Sequence, residues 1–185
     1  MTADQFEWST ERTRGDRELV DGVVVEGEMP NRRHQTVLAW LHALLDPWAR
    51  HKGGGAWTNA EIRLGEHQVR QADLIAWWSG QDVPLDGMMR AVPDLVVEVI
   101  SPQPRDVIRD REEKLVEYCA FGVPHYWIVE PLHQTVEIYL RQWKKTWALV
   151  PGWEYGRVIL ETRGVISPPA GPTFQLDALW AIVEG

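Results

Sequence analysis

The sequence predicts a mixed α/β (α+β) fold in which helices flank a central mixed β-sheet, with extra β-hairpins. Segments with helical spacing of apolar residues and short β-rich segments follow one another in the order helix, three strands, helix, strand, strand. Residues 95–100 form an almost continuous apolar run, which is typical of a central strand covered on both faces. A length of 185 residues suits one domain, which we assign to residues 1–185.

The first half of the chain is expected to supply a hairpin, a helix and two strands. Residues 17–25 predict the hairpin, because Asp21-Gly22 suits a type I′ turn. Asn31 is a candidate N-cap of the helix, and Pro47 is expected to mark its end. The two strands are predicted at residues 57–64 and 69–78.

The second half begins with the apolar strand at residues 95–100. A helix is then expected over about residues 105–121, ended by Gly122 as a C-cap and by Pro124. Further strands are predicted at residues 126–129 and 135–140, and a last short helix near residues 176–183.

Composition limits the classes of function. Cys119 is the only cysteine, so the chain has no internal disulfide and no Cys cluster for zinc. No apolar run approaches membrane-spanning length and no signal-peptide core begins the chain, so we expect a cytoplasmic protein without a membrane partner. The formal net charge of −8 argues against a non-specific nucleic-acid binder, but it permits an enzyme that meets nucleic acid through a metal ion.

Glu98 is the first candidate site residue because it interrupts the apolar strand. A buried carboxylate is costly unless a cation or hydrogen-bond donors compensate its charge. A metal-binding or catalytic acid and a structural ion pair are equally good explanations of Glu98 alone.

Asp73 is the better partner for Glu98 than Asp94. Asp94 lies four residues before Glu98 on one strand, roughly 13 Å away, whereas neighbouring strands are only about 4.8 Å apart. Both ligands of one magnesium ion must lie about 2.1 Å from it. We therefore expect Asp73 to face Glu98 across the sheet, and Asp94 to be a turn residue.

Lys114 is the third candidate. On a helix it shares a stripe with Val107, Tyr118 and Phe121, which places its ammonium near the sheet. A surface lysine beside Asp110 and Glu117 is the better explanation of Lys114 alone, but a shared site is favoured once Asp73 and Glu98 are considered.

Other charged residues have weaker claims. His34, Glu18 and Tyr118 are supporting candidates, although a histidine at this position is more often a packed, hydrogen-bonded residue. Glu61 ranks below them. Basic residues that could contact phosphates, but that are better explained as solvated charge, are Arg105, Arg109, Arg111, Lys144 and Lys145.

Two acids and a lysine suit the hydrolysis of phosphodiester bonds. Hard oxygen ligands hold Mg²⁺ or Mn²⁺, which polarises the phosphate and lowers the pKa of bound water. The lysine can orient the attacking water or offset charge that develops on the phosphoryl oxygens.

The same residues lie in recognisable motifs. These are residues 17–22 (RELVDG), His34-Gln35, residues 69–73 (VRQAD), residues 93–102 (PDLVVEVISP), Lys114 with Tyr118, and residues 122–127 (GVPHYW). From about Glu18 to Leu179 the chain resembles the Uma-type restriction endonuclease family, within the PD-(D/E)XK nuclease superfamily.

The resemblance implies a restriction-endonuclease-like fold and a Mg²⁺-dependent nuclease site. The family's two acids fall on Asp73 and Glu98, and its lysine, displaced onto the following helix, falls on Lys114. Ala72 stands where the family usually has proline. Ile100 occupies the usual lysine position of the superfamily, so hydrolysis would depend on the reach of Lys114.

Two hypotheses follow. The first is a DNA endonuclease dependent on Mg²⁺ or Mn²⁺, which we expect to be a homodimer because two sites cut two strands. The second is a catalytically silent protein of the same fold that acts as a binding or interaction module. The net charge and the eleven tryptophans support this second hypothesis.

Overall fold

The computed structural model describes residues 1–10, 17–27, 30–78, 80, 83, 87–144 and 152–184. The helices within these residues are α1 (Ala3–Glu7), α2 (Arg32–His51), α3 (Pro104–Ile108), α4 (Lys114–Phe121) and α5 (Leu176–Glu184), with a π-helical turn at Arg109–Glu113. The strands are β1 (Arg17–Val20), β2 (Val23–Glu26), β3 (Gly55–Gly65), β4 (Gln68–Trp77), β5 (Leu95–Val99), β6 (His125–Glu130), β7 (Thr135–Lys144), β8 (Gly152–Glu161), β9 (Val165–Ile166) and β10 (Phe174–Gln175). None of the described helices is long and apolar enough to cross a membrane.

Eight strands form one mixed sheet in the order β2-β1-β4-β5-β6-β7-β8, with β3 paired to β4. β5 and β6 are parallel, and the other neighbours are antiparallel. The helical segment between β5 and β6 is the crossover that a parallel pair requires. β9 and β10 form a separate two-stranded sheet.

Helices cover both faces of the sheet. On one face, α2 and α5 bury their apolar side chains against the strands, and Trp127 and Trp180 are fully buried there. On the other face, Tyr118 of α4 packs with residues of β3 to β6 in a second cluster. The predicted α/β fold with a central mixed sheet between helices is confirmed.

The first predicted turn and cap are also present. Asp21 and Gly22 have φ angles of 50° and 78°, as a type I′ turn requires. The side chain of Asn31 accepts a hydrogen bond from the His34 amide and caps α2.

The prediction that Pro47 ends this helix was wrong, because α2 continues to His51. Proline lacks the N–H that would pair with the carbonyl four residues earlier. Because Pro47 is exposed, that unpaired carbonyl lies on the outer side of the helix. Ala49, two residues later, is fully buried in the core. Packing of this last turn outweighs the lost hydrogen bond.

The predicted helix over residues 105–121 was only partly correct. A π-helical turn at Arg109–Glu113 separates α3 from α4. Gly122 adopts a left-handed conformation with φ of 112° and ends α4, as expected for a C-cap.

The sheet forks beside β4. β3 pairs along one edge of β4, whereas β1 and β5 share the other edge. β1 contacts it at Val69 and β5 at residues 74–76, so the edge around Gln71 and Asp73 lies between the two strands. This fork positions the candidate site.

Candidate active site

The fork opens into a polar cavity of about 50 Å³ between the sheet, α2 and the π-helical turn. All three predicted site residues, Asp73, Glu98 and Lys114, line it. The other lining residues are Glu18, Gly27, Pro30, His34, Asn59, Gln71, Val99, Ser101, Arg109 and Asp110.

Asp73 is held from two sides. Its Oδ2 atom accepts a hydrogen bond from the Val99 amide at 2.7 Å and lies 3.0 Å from His34 Nε2. Burial alone would raise the pKa of Asp73, but the hydrogen bond and charge of His34 outweigh it and keep that pKa below the usual range. Asp73 is therefore an ionised acid on β4, next to β5.

Glu98 is almost completely buried, with 2% of its surface exposed. Its Oε1 atom accepts hydrogen bonds from Lys114 Nζ at 3.0 Å and from the Tyr118 hydroxyl at 2.9 Å. Burial raises the pKa of Glu98 well above its usual value, and the charges of Asp73 and Asp110 add to the rise while Lys114 opposes it. Among the described lining residues, four carboxylates (Glu18, Asp73, Glu98 and Asp110) face the two permanent cations Lys114 and Arg109.

Lys114 joins the parts of the site. Its ammonium donates to the Gln71 carbonyl at 3.0 Å, and lies 3.2 Å from Glu18 and 3.7 Å from Asp110, besides its contact with Glu98. Burial alone would lower the pKa of Lys114, but the charges of Glu18, Glu98 and Asp110 raise it above its usual value. The lysine is thus a fixed, buried cation, as its helical position predicted.

The supporting candidates lie around these three residues. Glu18 contacts Lys114, and its other partners are the Gln71 amide and Arg70 Nη1. Despite the cost of burial, the charges of Lys114 and Arg70 lower the pKa of Glu18 to about 2. His34 is both packed and in contact with Asp73, and its buried Nδ1 atom has no hydrogen-bond partner within the described part of the chain.

Sequence reasoning missed Arg70, which is 1% exposed and donates to Glu18, Glu117 and Glu113. The local sequence gave no signal of this burial, because Arg70 lies near the polar start of β4 and its partners come from β1 and the segment around α4. Arg70 ties the α4 residue Glu117 to Glu18, and so fixes the helix that carries Lys114 relative to the fork.

Asp110, expected as a neighbour of a surface lysine, is buried. The π-helical turn places it one turn before Lys114 and facing the same cavity. Burial raises the pKa of Asp110, although Lys114 and Arg109 lower it in part. Arg109 also lines the cavity and contacts Asp110, so it is not solvated charge on a helix face.

The remaining candidates lie elsewhere. Asp94 accepts a hydrogen bond from the Trp78 amide at 2.7 Å, as a turn residue would. Glu61 lines a neighbouring hollow, Arg105 is exposed, and Arg111 forms ion pairs with Glu130 and Glu137. The side chain of Lys144, and Lys145 as a whole, lie outside the described residues.

The donor set suits a hard cation. No described group of three His, Cys, Asp or Glu side chains is arranged to hold a metal ion by itself. Asp73 Oδ1 and Glu98 Oε2, however, accept no hydrogen bond from a described residue. Magnesium is commonly bound by one or two carboxylates while water and substrate phosphates fill its other positions, so Asp73 and Glu98 fit this ion.

Comparison with known proteins agrees with the fold. No curated protein matches the chain. The crystal structure of a putative nuclease belonging to DUF820 from Anabaena variabilis matches with 16% sequence identity and a TM-score of 0.68, over 99% of each chain. A family model, Uma2, described as "Putative restriction endonuclease", matches residues 3–177. Because that match spans nearly the whole sequence, the chain belongs to the Uma2 family.

Proposed function

We propose that the chain is an endonuclease that hydrolyses DNA phosphodiester bonds with Mg²⁺ or Mn²⁺, and that Asp73, Glu98 and Lys114 are its catalytic residues. One observation carries the proposal: the buried ammonium of Lys114 lies 3.0 Å from Glu98 in a cavity that Asp73 also lines. Membership of the Uma2 family and the similarity to a nuclease structure support it.

Asp73 and Glu98 would hold the metal ion through carboxylate oxygens. When bound, the ion supplies Lewis-acid polarisation of the phosphate and a water of lowered pKa. The surplus of carboxylates that line the cavity agrees with such a role, because a divalent cation at this position would offset their charge.

Lys114 supplies a permanent positive charge beside the reacting phosphate. Its contacts with Glu98, Glu18 and the Gln71 carbonyl hold the ammonium in place without rearrangement. A preorganised charge of this kind stabilises the negative charge that develops on phosphoryl oxygens. Tyr118 and His34 act as positioning residues, because each donates to an oxygen of one catalytic carboxylate.

Nicking of supercoiled plasmid tests the assignment. With Mn²⁺ or Mg²⁺ we expect the wild-type protein to convert the plasmid to open circles, and no conversion when EDTA is present. Asp73→Asn, Glu98→Gln and Lys114→Met are each expected to lower the rate by at least about a hundredfold.

Glu112→Gln is the matched control, because Glu112 is an exposed acid on the π-helical turn. It should nick the plasmid at the wild-type rate. Equal nicking by the wild-type protein and all three site variants would refute the assignment, since the activity would then come from other residues or a contaminant.

The proposal includes a homodimer, because two sites are required to cut both strands at one position. It also places the protein in the cytoplasm, where the lone Cys119 stays reduced. Light scattering coupled to size-exclusion chromatography tests the dimer. A mass of one chain at all concentrations would reject it.

The alternative is a catalytically silent protein that uses this fold as a binding module. In its favour, Lys114 already forms ion pairs with Glu18 and Glu98, and no described group of three candidate ligands is ready for a metal. Calorimetric titration with Mn²⁺ separates the two functions. Absence of binding supports the silent protein, whereas binding that Glu98→Gln abolishes supports the nuclease.

A further inference from the structure

Asn59 has an uncommon backbone conformation in the middle of β3. Its φ angle is +52°, and its side chain is exposed. A residue other than glycine is strained in this region, and such residues cluster at functional sites. Asparagine tolerates the conformation better than most residues.

The irregularity lies next to the candidate site. β3 pairs with β4 through Thr58 with Leu74 and Ala60 with Ala72, so Asn59 lies opposite Asp73. Trp57 and Ala60 contact the same apolar cluster, although side chains three residues apart on a regular strand point to opposite faces. β3 therefore changes its side-chain alternation at Asn59.

Asp73 marks the same change in β4. Ala72 and Ile75 belong to one cluster, whereas Leu74 belongs to the cluster on the other face. The two strands thus shift together at the Asn59–Asp73 position, where Asp73 enters the cavity. Asn59 is exposed at this shift and lines the same cavity as Asp73.

Asn59 also lines three hollows. One is the cavity of about 50 Å³ that holds the catalytic candidates. The second, of about 220 Å³, contains Gln71 and Glu61. The third, of about 300 Å³, contains Gln35 and His42 from α2. All three hollows share Asn59, and we call the surface that they line around β3 the furrow.

Away from the catalytic cavity, the furrow offers neutral hydrogen-bonding groups rather than lysine or arginine. No lysine or arginine is among the described residues that line the second and third hollows. The amide and hydroxyl side chains there are Gln35, Thr58, Asn59 and Gln71, beside His42 and the acid Glu61. A DNA strand that enters a cavity with four carboxylates (Glu18, Asp73, Glu98 and Asp110) needs donors close to its phosphates, and an amide N–H supplies one.

We propose that Asn59 contacts the substrate: its carboxamide donates a hydrogen bond to a phosphate oxygen of the DNA strand that lies in the furrow. The contact is to the phosphate next to the one held at Asp73 and Glu98. This inference rests on the proposed function and adds a residue that fixes where the strand lies.

Binding of a labelled DNA duplex of mixed sequence, measured by fluorescence anisotropy in Ca²⁺, tests the contact. Asn59→Gly and Asn59→Asp both retain access to the left-handed conformation, so the backbone is preserved. We expect Asn59→Gly to weaken binding about tenfold, because a hydrogen bond to a charged group is lost. Asn59→Asp should weaken it further, because a carboxylate replaces the donor and repels the phosphate.

Salt dependence distinguishes this contact from a general charge effect. Asn59→Gly should leave the slope of log affinity against log salt unchanged, because a neutral amide releases no counterions. Gln142→Glu adds a negative charge at an exposed position of β7 and should bind DNA within about twofold of the wild-type protein.

Three results would overturn the inference. The first is wild-type affinity of both Asn59 variants. The second is a fall in the Mn²⁺ affinity of Asn59→Gly that equals its fall in DNA affinity. That result would show that Asn59 acts by positioning Asp73. The third is a wild-type protein that binds no duplex. Only this last result would also remove DNA from the proposed function, so the two failures are distinguishable.

Discussion

Single residues at the fork carry an uncommon density of buried charge. Glu18, Glu98, Asp110 and Lys114 are each less than 5% exposed, and all four line one cavity. Buried charges of this kind are tolerated only when they are paired and hydrogen-bonded. Removal of one partner leaves the others uncompensated, so stability and activity should be coupled here.

Lys114→Met should therefore destabilise the protein by about 3 kcal/mol or more, because three buried carboxylates lose their common cation. Glu98→Gln should cost less on its own. The variant with both substitutions should be destabilised by about 1–3 kcal/mol less than the sum of the two single effects. Each single substitution already removes the contact between Lys114 and Glu98. Urea unfolding of the wild-type protein, both single variants and the double variant measures these free energies. Additive effects would show that Lys114 and Glu98 are not energetically coupled.

Acid should destabilise the protein partly through Glu18. The pKa of Glu18 is about 2 in the folded protein against an ordinary value of 4.5, so its ionised form stabilises the fold above pH 4.5. That contribution is lost as the pH falls from 4.5 towards 2, and the shift corresponds to roughly 3 kcal/mol.

Urea unfolding of the wild-type protein and Glu18→Gln between pH 7 and pH 3 should give curves that converge in acid. Glu26→Gln, a change of an exposed acid on β2, is the control and should follow the wild-type curve. Parallel curves for Glu18→Gln would show that Glu18 does not provide this pH dependence.

The three main residues of the cluster were predictable because strand spacing and helical phase are local rules. Asp73 lies next to Glu98 across β4 and β5, and Lys114 faces inward. Arg70 and Asp110 were missed for a physical reason. Their burial depends on which strand lies beside β4 and on an extra residue in the helix, and neither follows from local periodicity.

At the scale of elements, the π-helical turn at Arg109–Glu113 matters most. A π turn holds one more residue than an α turn, and such turns are frequent at functional sites. Here Asp110 on the turn and Lys114 at the start of α4 both face the cavity, while Arg111 reaches Glu130 and Glu137 on the sheet.

Deletion of Glu112 should convert the turn to regular α-helix and rotate the preceding residues by about 100° relative to α4. We expect loss of the Arg111 ion pairs, lower stability and nicking reduced by at least about tenfold, with the helical circular dichroism signal retained. Glu112→Ala keeps the residue count and should behave like the wild-type protein. A deletion variant with full activity would show that the extra residue has no role in the site.

Two other elements show the limits of local patterns. α1 has only five residues, too few for periodicity, and was not predicted. It forms because Thr2 and Gln5 make a capping box and because Ala3 and Phe6 are fully buried. As with the last turn of α2, tertiary packing decides the outcome where propensity is weak.

At the scale of the whole molecule, the net charge of −8 and the acidic cavity both oppose binding of DNA without a divalent cation. The nuclease hypothesis therefore requires that the metal bind the folded protein before or with the substrate. A ligand that binds only the folded state raises its stability by mass action.

Mn²⁺ should accordingly raise the melting temperature of the wild-type protein. At a hundredfold excess over the dissociation constant the gain is about 2.7 kcal/mol, or roughly 5–10 °C for a chain of this size. Differential scanning fluorimetry with increasing Mn²⁺, at constant ionic strength set with NaCl, measures the shift.

The site variants decide where the metal binds. Asp73→Asn and Glu98→Gln should each lose most of the shift, while Glu112→Gln, which removes an exposed acid elsewhere, should retain it. An equal shift in all variants would place the metal outside the fork. No shift in the wild-type protein at any concentration would leave Lys114 as a purely structural cation, because the acids around it would then have no second cation to bind.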